Sequence, residues 1–92
     1  QALTKLDDAL PLSSLSKKLI SFNWNCLNIK KGHSFQSIIK ALTKKRKKGI
    51  PTAIIFNTTK GKGIKEFEND PVWHARKVSK EDINIAKRRL GI

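Results

Sequence analysis

This chain of 92 residues has few of the residues that build disulfides, zinc sites or acidic surfaces. It has one cysteine and no tyrosine, and only 7 acidic residues against 20 lysines and arginines. A lone cysteine excludes an internal disulfide, and two histidines forty-one positions apart lack the spacing of a zinc site. No apolar run approaches the ~18 residues of a membrane span, and the first residues lack a basic segment followed by an apolar one. We therefore expect a cytoplasmic location and no membrane partner.

Apolar residues are also scarce. They make up 38% of the chain, below the roughly 45 to 50% of a typical globular domain. The shortfall predicts that further chain or a partner covers some of the surface.

The formal net charge of +13 would attract nucleic acid, anionic membranes or phosphorylated ligands. The runs Lys44 to Lys48 and Lys87 to Arg89 finish predicted helices, where cations complement the helix dipole. The net charge alone is thus compatible with three roles for the basic residues: solvated helix ends, a basic docking surface, or contact with nucleic acid.

Residues 12 to 56 have the pattern of alternating helices and strands. Leucines at helical spacing, with Ser13 or Ser14 as N-cap, predict a helix over residues 13 to 22. The apolar run Trp24 to Ile29 predicts a strand, with the Trp24 and Cys26 side chains in the core. A second helix is capped by Ser34 and stops at Gly49. Its apolar face comprises Phe35, Ile38, Ile39 and Leu42.

The apolar run Thr52 to Phe56 predicts a second strand and completes a β-α-β unit. Such units are right-handed crossovers between parallel strands, so the loops at residues 30–33 and 57–63 are expected at one edge of the sheet, as one composite site. Residues 64–78 lack periodicity and are predicted to form a loop with a turn at Asn69-Asp70-Pro71. A last helix begins at Ser79, which has capping-box spacing to Asp82, and its apolar side is Ile83, Ala86 and Leu90. The first ten residues are expected to be a frayed segment or a cut loop.

Glycines and lysines follow the second strand directly. Gly61 and Gly63 permit positive φ or close approach to a ligand, while Lys60 and Lys62 carry charges suited to phosphate. A Gly-Lys-Gly alone is weak evidence. It lacks the third glycine of dinucleotide motifs and opens no helix, so Walker and Rossmann fingerprints are excluded. Glu66, Glu68 and Asp70 resemble a metal cluster, but flexible loop carboxylates are more often only solvated.

A larger set of motifs resembles the end of the thiamine-diphosphate-binding domain of transketolases. The string Pro51 to Ile55, then Thr58 to Ile64, then Trp73-His74, carries the resemblance. Phe22-Asn23-Trp24-Asn25 and Gly32-His33-Ser34 are similar to the family's Phe-Gly-Trp and its Gly-His-Asp or Gly-His-Ser turn. The tail from Ser79 is most similar to the separate amino-terminal subunit of split transketolases. The resemblance implies an α/β fold, part of a parallel sheet in the order helix, strand, helix, strand, loop, helix, with residues 1–92 as the C-terminal portion of that domain.

The chain departs from the family at three places. Lys30 or Lys31 stands where an acidic residue usually precedes Gly-His, and Ala75 stands where a glycine usually follows Trp-His. The family's metal-binding Gly-Asp-Gly and its later Asn are absent from the 92 residues. The resemblance therefore implies thiamine diphosphate and Mg²⁺ as cofactors, with the metal ligands outside this chain. We expect the isolated chain to be inactive.

The resemblance also implies site residues. Lys60, with Gly61 and Gly63, is assigned to the cofactor and its diphosphate, although an ordinary exposed loop lysine is the simpler alternative. His74 matches the family's substrate-side histidine, where an imidazole exchanges protons with sugar hydroxyls. A structural histidine after Trp73 is the alternative. His33 has a weaker substrate role and is equally suited to bonding backbone in the turn after Gly32.

Two classes of function follow. The first is part of a transketolase-type transferase that acts on sugar phosphates, is completed by upstream chain and a second transketolase subunit or domain, and assembles as a dimer. A deoxyxylulose-phosphate synthase is a neighbouring possibility, since it shares a Lys-Gly-Lys-Gly. The second class is a small basic docking or nucleic-acid-binding module. Such a module would interleave aromatic and basic residues on an exposed face.

Overall fold

The computed structural model describes residues 3–92, which form two compact units. The first, here the sheet unit, is Leu12–Thr58. The second, here the terminal unit, combines Thr59–Ile92 with the described part of residues 1–11. In chain order the helices and strands are α1 (Leu6–Ala9), α2 (Leu15–Ser21), β1 (Asn25–Ile29), α3 (Phe35–Thr43), β2 (Thr52–Phe56) and α4 (Lys80–Leu90), with 3₁₀ helices at Lys65–Phe67 and Pro71–His74.

The two strands of the sheet unit form the predicted β-α-β arrangement. β1 and β2 pair in parallel, in register from Asn25 opposite Thr52 to Ile29 opposite Phe56. Helix α3 connects them, as parallel pairing requires a long crossover. The α/β fold class with a small parallel sheet is therefore confirmed, and β2 has the bounds that its apolar run predicted.

The helices of the sheet unit begin where their caps predicted. The Ser14 hydroxyl accepts from the Lys17 N–H at 3.4 Å, and the Ser34 hydroxyl accepts from the Ser37 N–H at 3.4 Å. A serine oxygen in these positions satisfies one of the backbone donors that a helix leaves without an internal partner. Both N-termini were thus predictable from local sequence.

The C-terminus of α3 was predicted wrongly. The helix ends at Thr43, and Lys44 already has extended backbone, with φ −60° and ψ 130°. The run Lys44 to Lys48 therefore follows the helix instead of finishing it, because like charges in successive turns repel and no acidic neighbour offsets them. One cation still bonds the helix end, since Arg46 Nη2 donates to the Leu42 carbonyl at 3.1 Å.

Very little of the sheet unit is buried. Ala41, on α3, is 3% exposed and is the one buried apolar side chain between residues 3 and 92. The predicted apolar face of α3 lies largely in solvent, with Phe35 78% exposed. Trp24 is 41% exposed and Cys26 half-buried, so the prediction that they lie in a core was wrong. Two strands are too few to cover these faces, and the exposure agrees with the low apolar content of the chain.

Helix α4 of the terminal unit has the predicted capping box. The Ser79 hydroxyl accepts from the Asp82 N–H at 3.1 Å, and Asp82 Oδ2 accepts from the Ser79 N–H at 2.8 Å. The side of α4 that is buried is not the apolar side predicted from the sequence. Asp82 is buried and Ala86 half-buried, whereas Ile83 and Leu90 are exposed. The bonds of Asp82 hold that carboxylate inward, so the helix turns part of its apolar side outward.

Residues 64–78 contain more structure than the predicted loop. They form the two short 3₁₀ helices, and Asp70 caps the second by accepting from the Val72 N–H at 2.9 Å. The expected turn is present, with Asn69 at φ 59°. Near the N-terminus, the expected frayed segment contains the four-residue helix α1, and the Leu3 N–H donates to the Pro71 carbonyl at 3.3 Å. Gln1 and Ala2 lie outside the described residues.

None of the helices between residues 3 and 92 has the length and apolarity that crossing a membrane requires.

Candidate functional site

The loops that follow β1 and β2 meet at Gly32 and Asn57 in the sheet unit. The Gly32 N–H donates to the Asn57 carbonyl at 3.1 Å, and the Asn57 N–H donates to the Ile29 carbonyl at 3.0 Å. A Cβ on Gly32 would lie 2.3 Å from the Asn57 oxygen, so only glycine fits this contact. The prediction that both strands deliver their loops to one edge is therefore confirmed for Gly32 and Asn57. His33 follows in the same turn and is exposed.

Lys60 begins the glycine loop of the terminal unit and is fixed at two points. Its Nζ donates to the Pro71 carbonyl at 3.2 Å, and its own carbonyl accepts from the Asn69 N–H at 2.9 Å. The residue is half-buried. The alternative of an ordinary exposed loop lysine therefore does not describe Lys60.

The two glycines of this loop serve different purposes. Gly61 has φ +72°, and a Cβ there would lie 2.3 Å from the Phe67 carbonyl oxygen. Gly63 has φ +116° with nothing within 4 Å of its Cβ position. Gly61 is thus required by packing within the unit, while Gly63 keeps an open space beside its backbone.

The carboxylates of this segment bind cations and backbone of the same unit. Glu68 pairs with Lys62 at 3.1 Å and also accepts from the Gly63 N–H at 3.4 Å. Glu66 forms a bidentate pair with Arg89 of α4. The hydrogen bond from Arg89 is the main cause that lowers the pKa of Glu66. Across residues 3–92 no group of three or more acidic, histidine or cysteine side chains is arranged to hold a metal ion.

His74 ends the second 3₁₀ helix and is exposed. The helix begins at Pro71, whose carbonyl receives the Lys60 ammonium. Lys60 and the segment that carries His74 are therefore in direct contact. The neighbouring Trp73 lies against Phe67, with ring centroids 4.1 Å apart, and against the Arg76 guanidinium, 3.9 Å from its ring centroid.

Arg76 and Asp82 connect this segment to α4, and sequence reasoning did not find their pairing. Arg76 Nη2 donates to Asp82 Oδ1 at 2.5 Å. Hydrogen bonds from the Ser79 side chain, followed by the Ser79 backbone and Arg76, hold the pKa of Asp82 below its usual range. The capping-box spacing predicted the bonds to Ser79. No sequence pattern indicated that the second carboxylate oxygen would bind Arg76.

The sheet unit has a separate cavity of about 460 Å³ between β1 and α3. Four lysines line it: Lys30, Lys31, Lys40 and Lys44. It contains none of the site residues predicted from sequence. The face of α3 that borders it has small and basic side chains, because Ser37, Lys40 and Ala41 recur at helical spacing, and Lys44 follows directly after the helix.

The family model of the thiamine-diphosphate-binding domain of transketolases matches residues 8–92. This chain belongs to the transketolase family. Among curated relatives, it is 30% identical over 83 residues to one subunit of the apulose-4-phosphate transketolase of Actinobacillus succinogenes, covering 90% of this chain and 30% of the relative. It is 36% identical over 72 residues to the 6-deoxy-6-sulfo-D-fructose transketolase subunit SqwG of a Clostridium species, covering 77% and 26%.

The rat transketolase is 38% identical over 64 residues, which cover 70% of this chain and 10% of the rat enzyme. The chain thus spans less than a third of the curated relatives it matches. A comparison with solved structures found no match. The family and its cofactor domain were predicted from the motifs, and the match confirms both.

Proposed function

We propose that this chain forms the C-terminal portion of a thiamine-diphosphate-binding domain in a transferase that moves a two-carbon ketol unit between sugar phosphates. The observation that carries the proposal is the family match over residues 8–92, which includes almost all of both units. Two relatives are named for sugars with an anionic phosphate or sulfo group, which supports an anionic sugar as substrate. Bound thiamine diphosphate would supply the carbon–carbon bond chemistry.

Lys60 is proposed to contact the diphosphate, with Gly61 and Gly63 shaping the backbone around it. Two properties of the loop fit an anionic ligand. The contacts of Lys60 with Pro71 and Asn69 hold its position, and nothing lies within 4 Å of the Cβ position of Gly63. A fixed point charge at such a position favours a phosphate without reorganising when it binds.

His74 is proposed to act on the substrate side, where an imidazole takes and returns the proton of a sugar hydroxyl. Its exposure leaves the ring open to a ligand, and its segment contacts Lys60 through Pro71. His33, in the turn after Gly32, is proposed as a weaker substrate contact. These roles are carried over from the family motif to the matching positions.

The ligands of Mg²⁺ and the partner subunit are proposed to lie outside these 92 residues. The family's metal motif is not in the sequence, so the Mg²⁺ ligands would belong to further chain. Two relatives are named as subunits, which supports a second polypeptide as partner. A dimeric assembly and a cytoplasmic location are part of the proposal and rest on the family resemblance. The isolated chain is accordingly expected to show no turnover.

A chimera tests the proposal. Residues of this chain replace the matched segment of the Actinobacillus relative, and the hybrid is assayed with that relative's own partner. Lys60→Gln should weaken thiamine diphosphate binding by about tenfold, the effect of losing one charge-assisted contact. His74→Ala should lower kcat/KM while leaving cofactor affinity unchanged.

Lys62→Gln is the matched control, because it removes the same charge from the same loop but pairs with Glu68. Cofactor affinity measured by calorimetry should barely change in this variant. Equal losses in the Lys60 and Lys62 variants would contradict the assignment of Lys60. An inactive chimera that folds and binds its partner would contradict the proposed function itself.

A basic nucleic-acid-binding module is a second candidate, favoured by one observation. The sheet unit has ten lysines and arginines and no carboxylate, and it exposes Phe22 and Phe35 at 75% and 78%. Exposed aromatic rings among cations are the arrangement that stacks single-stranded bases. Phe22→Ala with Phe35→Ala should then weaken binding of a single-stranded oligonucleotide about tenfold or more at fixed salt. Binding that depends only on salt, and not on these rings, would be simple charge attraction.

A further inference from the structure

The segment that presents His74 has little stability of its own. It is a four-residue 3₁₀ helix, and helices of this length gain too few internal hydrogen bonds to persist alone. Asp70 caps its first turn. At the end near His74, the Ala75 and Arg76 N–H groups both donate to the Val72 carbonyl at 3.3 Å, a shared acceptor at long distance. Contacts of the surrounding side chains add to these two backbone bonds.

Trp73 is the first of these supports. Its ring contacts Phe67 at a centroid distance of 4.1 Å and the Arg76 guanidinium at 3.9 Å. A guanidinium over an indole ring is attracted both by stacking and by the ring quadrupole. Arg76 therefore binds the residue that immediately precedes His74.

Asp82 is the second support, and its two oxygens have separate tasks. Oδ2 completes the capping box with the backbone and hydroxyl of Ser79, at 2.8 and 2.7 Å. Oδ1 accepts from Arg76 Nη2 at 2.5 Å. The side chain is only 9% exposed, and the helix N-terminus already holds it in place. Arg76 is thus tied to a fixed, largely buried carboxylate.

We propose that Arg76 is a positioning residue, which fixes the Trp73-His74 segment to the N-terminus of α4 through its stack on Trp73 and its ion pair with Asp82. The substrate role of His74 rests on the proposed function. The positioning of the Trp73-His74 segment by Arg76 does not depend on it. Without Arg76, the 3₁₀ helix would lose its link to α4 while α4 kept its cap. His74 would then sample several positions instead of one.

The test uses the full 92-residue chain with Trp24→Phe, so that Trp73 is the only indole. Arg76→Gln is expected to remove most of the near-ultraviolet circular dichroism of Trp73. It should also sharpen the ring resonances of His74 toward those of a mobile side chain, with far-ultraviolet circular dichroism unchanged. Arg76→Lys keeps the charge but not the planar fork, and should restore these signals only in part. Lys77→Gln removes a neighbouring charge and should alter neither signal.

Unchanged Trp73 and His74 signals in Arg76→Gln would overturn the proposal, as would equal changes in Lys77→Gln. If Arg76→Gln unfolds the chain, Arg76→Lys decides, because native Trp73 and His74 signals in that variant would show that the planar fork is not needed. None of these signals requires cofactor or substrate. A failure here is therefore distinct from an inactive chimera, which would count against the proposed function instead.

Discussion

The two units of this chain differ in their distribution of acidic and basic residues. The sheet unit carries ten of the 20 lysines and arginines and none of the 7 acidic residues, whereas the terminal unit carries the other ten cations and every carboxylate. All three ion pairs of residues 3–92 lie in the terminal unit: Lys62 with Glu68, Arg76 with Asp82, and Arg89 with Glu66.

The difference shows how each unit is held together. The sheet unit relies on the backbone pairing of β1 with β2 and on two serine caps, while its cations have no carboxylate to meet within the unit. The terminal unit has no sheet among its described residues, and its loops are fixed by side-chain pairs. Even so, each unit depends on one glycine at a backbone crowding point.

These glycines predict the largest effects. Gly61→Ala in the terminal unit combines a positive φ with a Cβ 2.3 Å from the Phe67 carbonyl, and should cost about 3 kcal/mol or more of unfolding free energy. Gly91→Ala has the same φ of +72° but open space, and should cost only about 1 kcal/mol. Urea unfolding followed by circular dichroism measures both.

The sheet unit offers the complementary pair. Gly32→Ala meets the Asn57 carbonyl at 2.3 Å without a positive φ, whereas Gly49→Ala has φ +77° and no neighbour within 4 Å. Crowding should therefore add to the cost of a positive φ in the terminal unit and outweigh it in the sheet unit, with Gly32→Ala costlier than Gly49→Ala. Equal costs for the four variants would show that the backbone contacts at Gly32 and Gly61 relax without penalty.

The next largest difference between the units should be in the pH dependence of their stability. Because the folded-state pKa of Asp82 and of Glu66 is lowered, their stabilisation is present above the unfolded values near ~4 and is lost as pH falls through the folded values. The amide exchange protection factors at the start of α4, corrected for the intrinsic exchange rate at each pH, should thus fall from about pH 4 downward. The sheet unit has no carboxylate and should show no such step between pH 5 and pH 2.

Asp82→Asn is the matching variant, and it should remove most of the acid dependence at α4 while leaving the sheet unit unaffected. An acid step of equal size in β1 and β2 would mean that the two units unfold together.

Salt should act on the units with opposite sign. Raising NaCl from about 0.02 to 0.5 M shortens the screening length from about 20 Å to about 4 Å, which relieves repulsion among the sheet unit's cations and weakens exposed ion pairs. Exchange protection should rise severalfold in β1 and β2. At the Glu66 to Arg89 pair it should fall or stay level. A uniform rise in both units would indicate that repulsion across the whole chain dominates.

The smallest effect should come from placing one carboxylate in the sheet unit. Lys45→Glu introduces an acid within a run of five cations and should stabilise the unit by about 0.5 kcal/mol. Lys77→Glu makes the same change in the terminal unit, where carboxylates are already present, and should be nearly neutral. The difference in urea midpoint between the two variants measures the effect, and equal midpoints would mean that the repulsion is negligible.

Local sequence predicted much of the fold. Ser14, Ser34 and Ser79 marked helix starts because a hydroxyl at the N-cap binds a backbone N–H a few residues away. The apolar run Thr52 to Phe56 marked β2. The C-terminus of α3 was missed because no residue before Gly49 has a strong stop signal, and repulsion within the lysine run ended the helix six residues earlier.

The candidate site likewise has residues that the sequence identified and contacts that only the structure revealed. Lys60, Gly61, Gly63 and His74 were identified from the order and spacing of their motifs, and the family match agrees with that recognition. Their roles toward cofactor and substrate remain predictions. The pairing of Glu66 with Arg89 and of Glu68 with Lys62 could not be read from the sequence, because each depends on a partner whose position only the folded loop sets. Asp70 is different, since it caps a helix through the N–H of Val72, only two residues away.

The sequence by itself determined the family, the caps, the β2 strand and the absence of acid from residues 12–58, since each depends on residue identity or short spacing. Tertiary structure alone decided that Phe35 and Ile39 face solvent, that Asp82 turns inward, and that Arg76 joins Trp73 to α4. Burial and long side-chain pairing depend on what lies across from a residue. That information is not contained in the periodicity of a single segment.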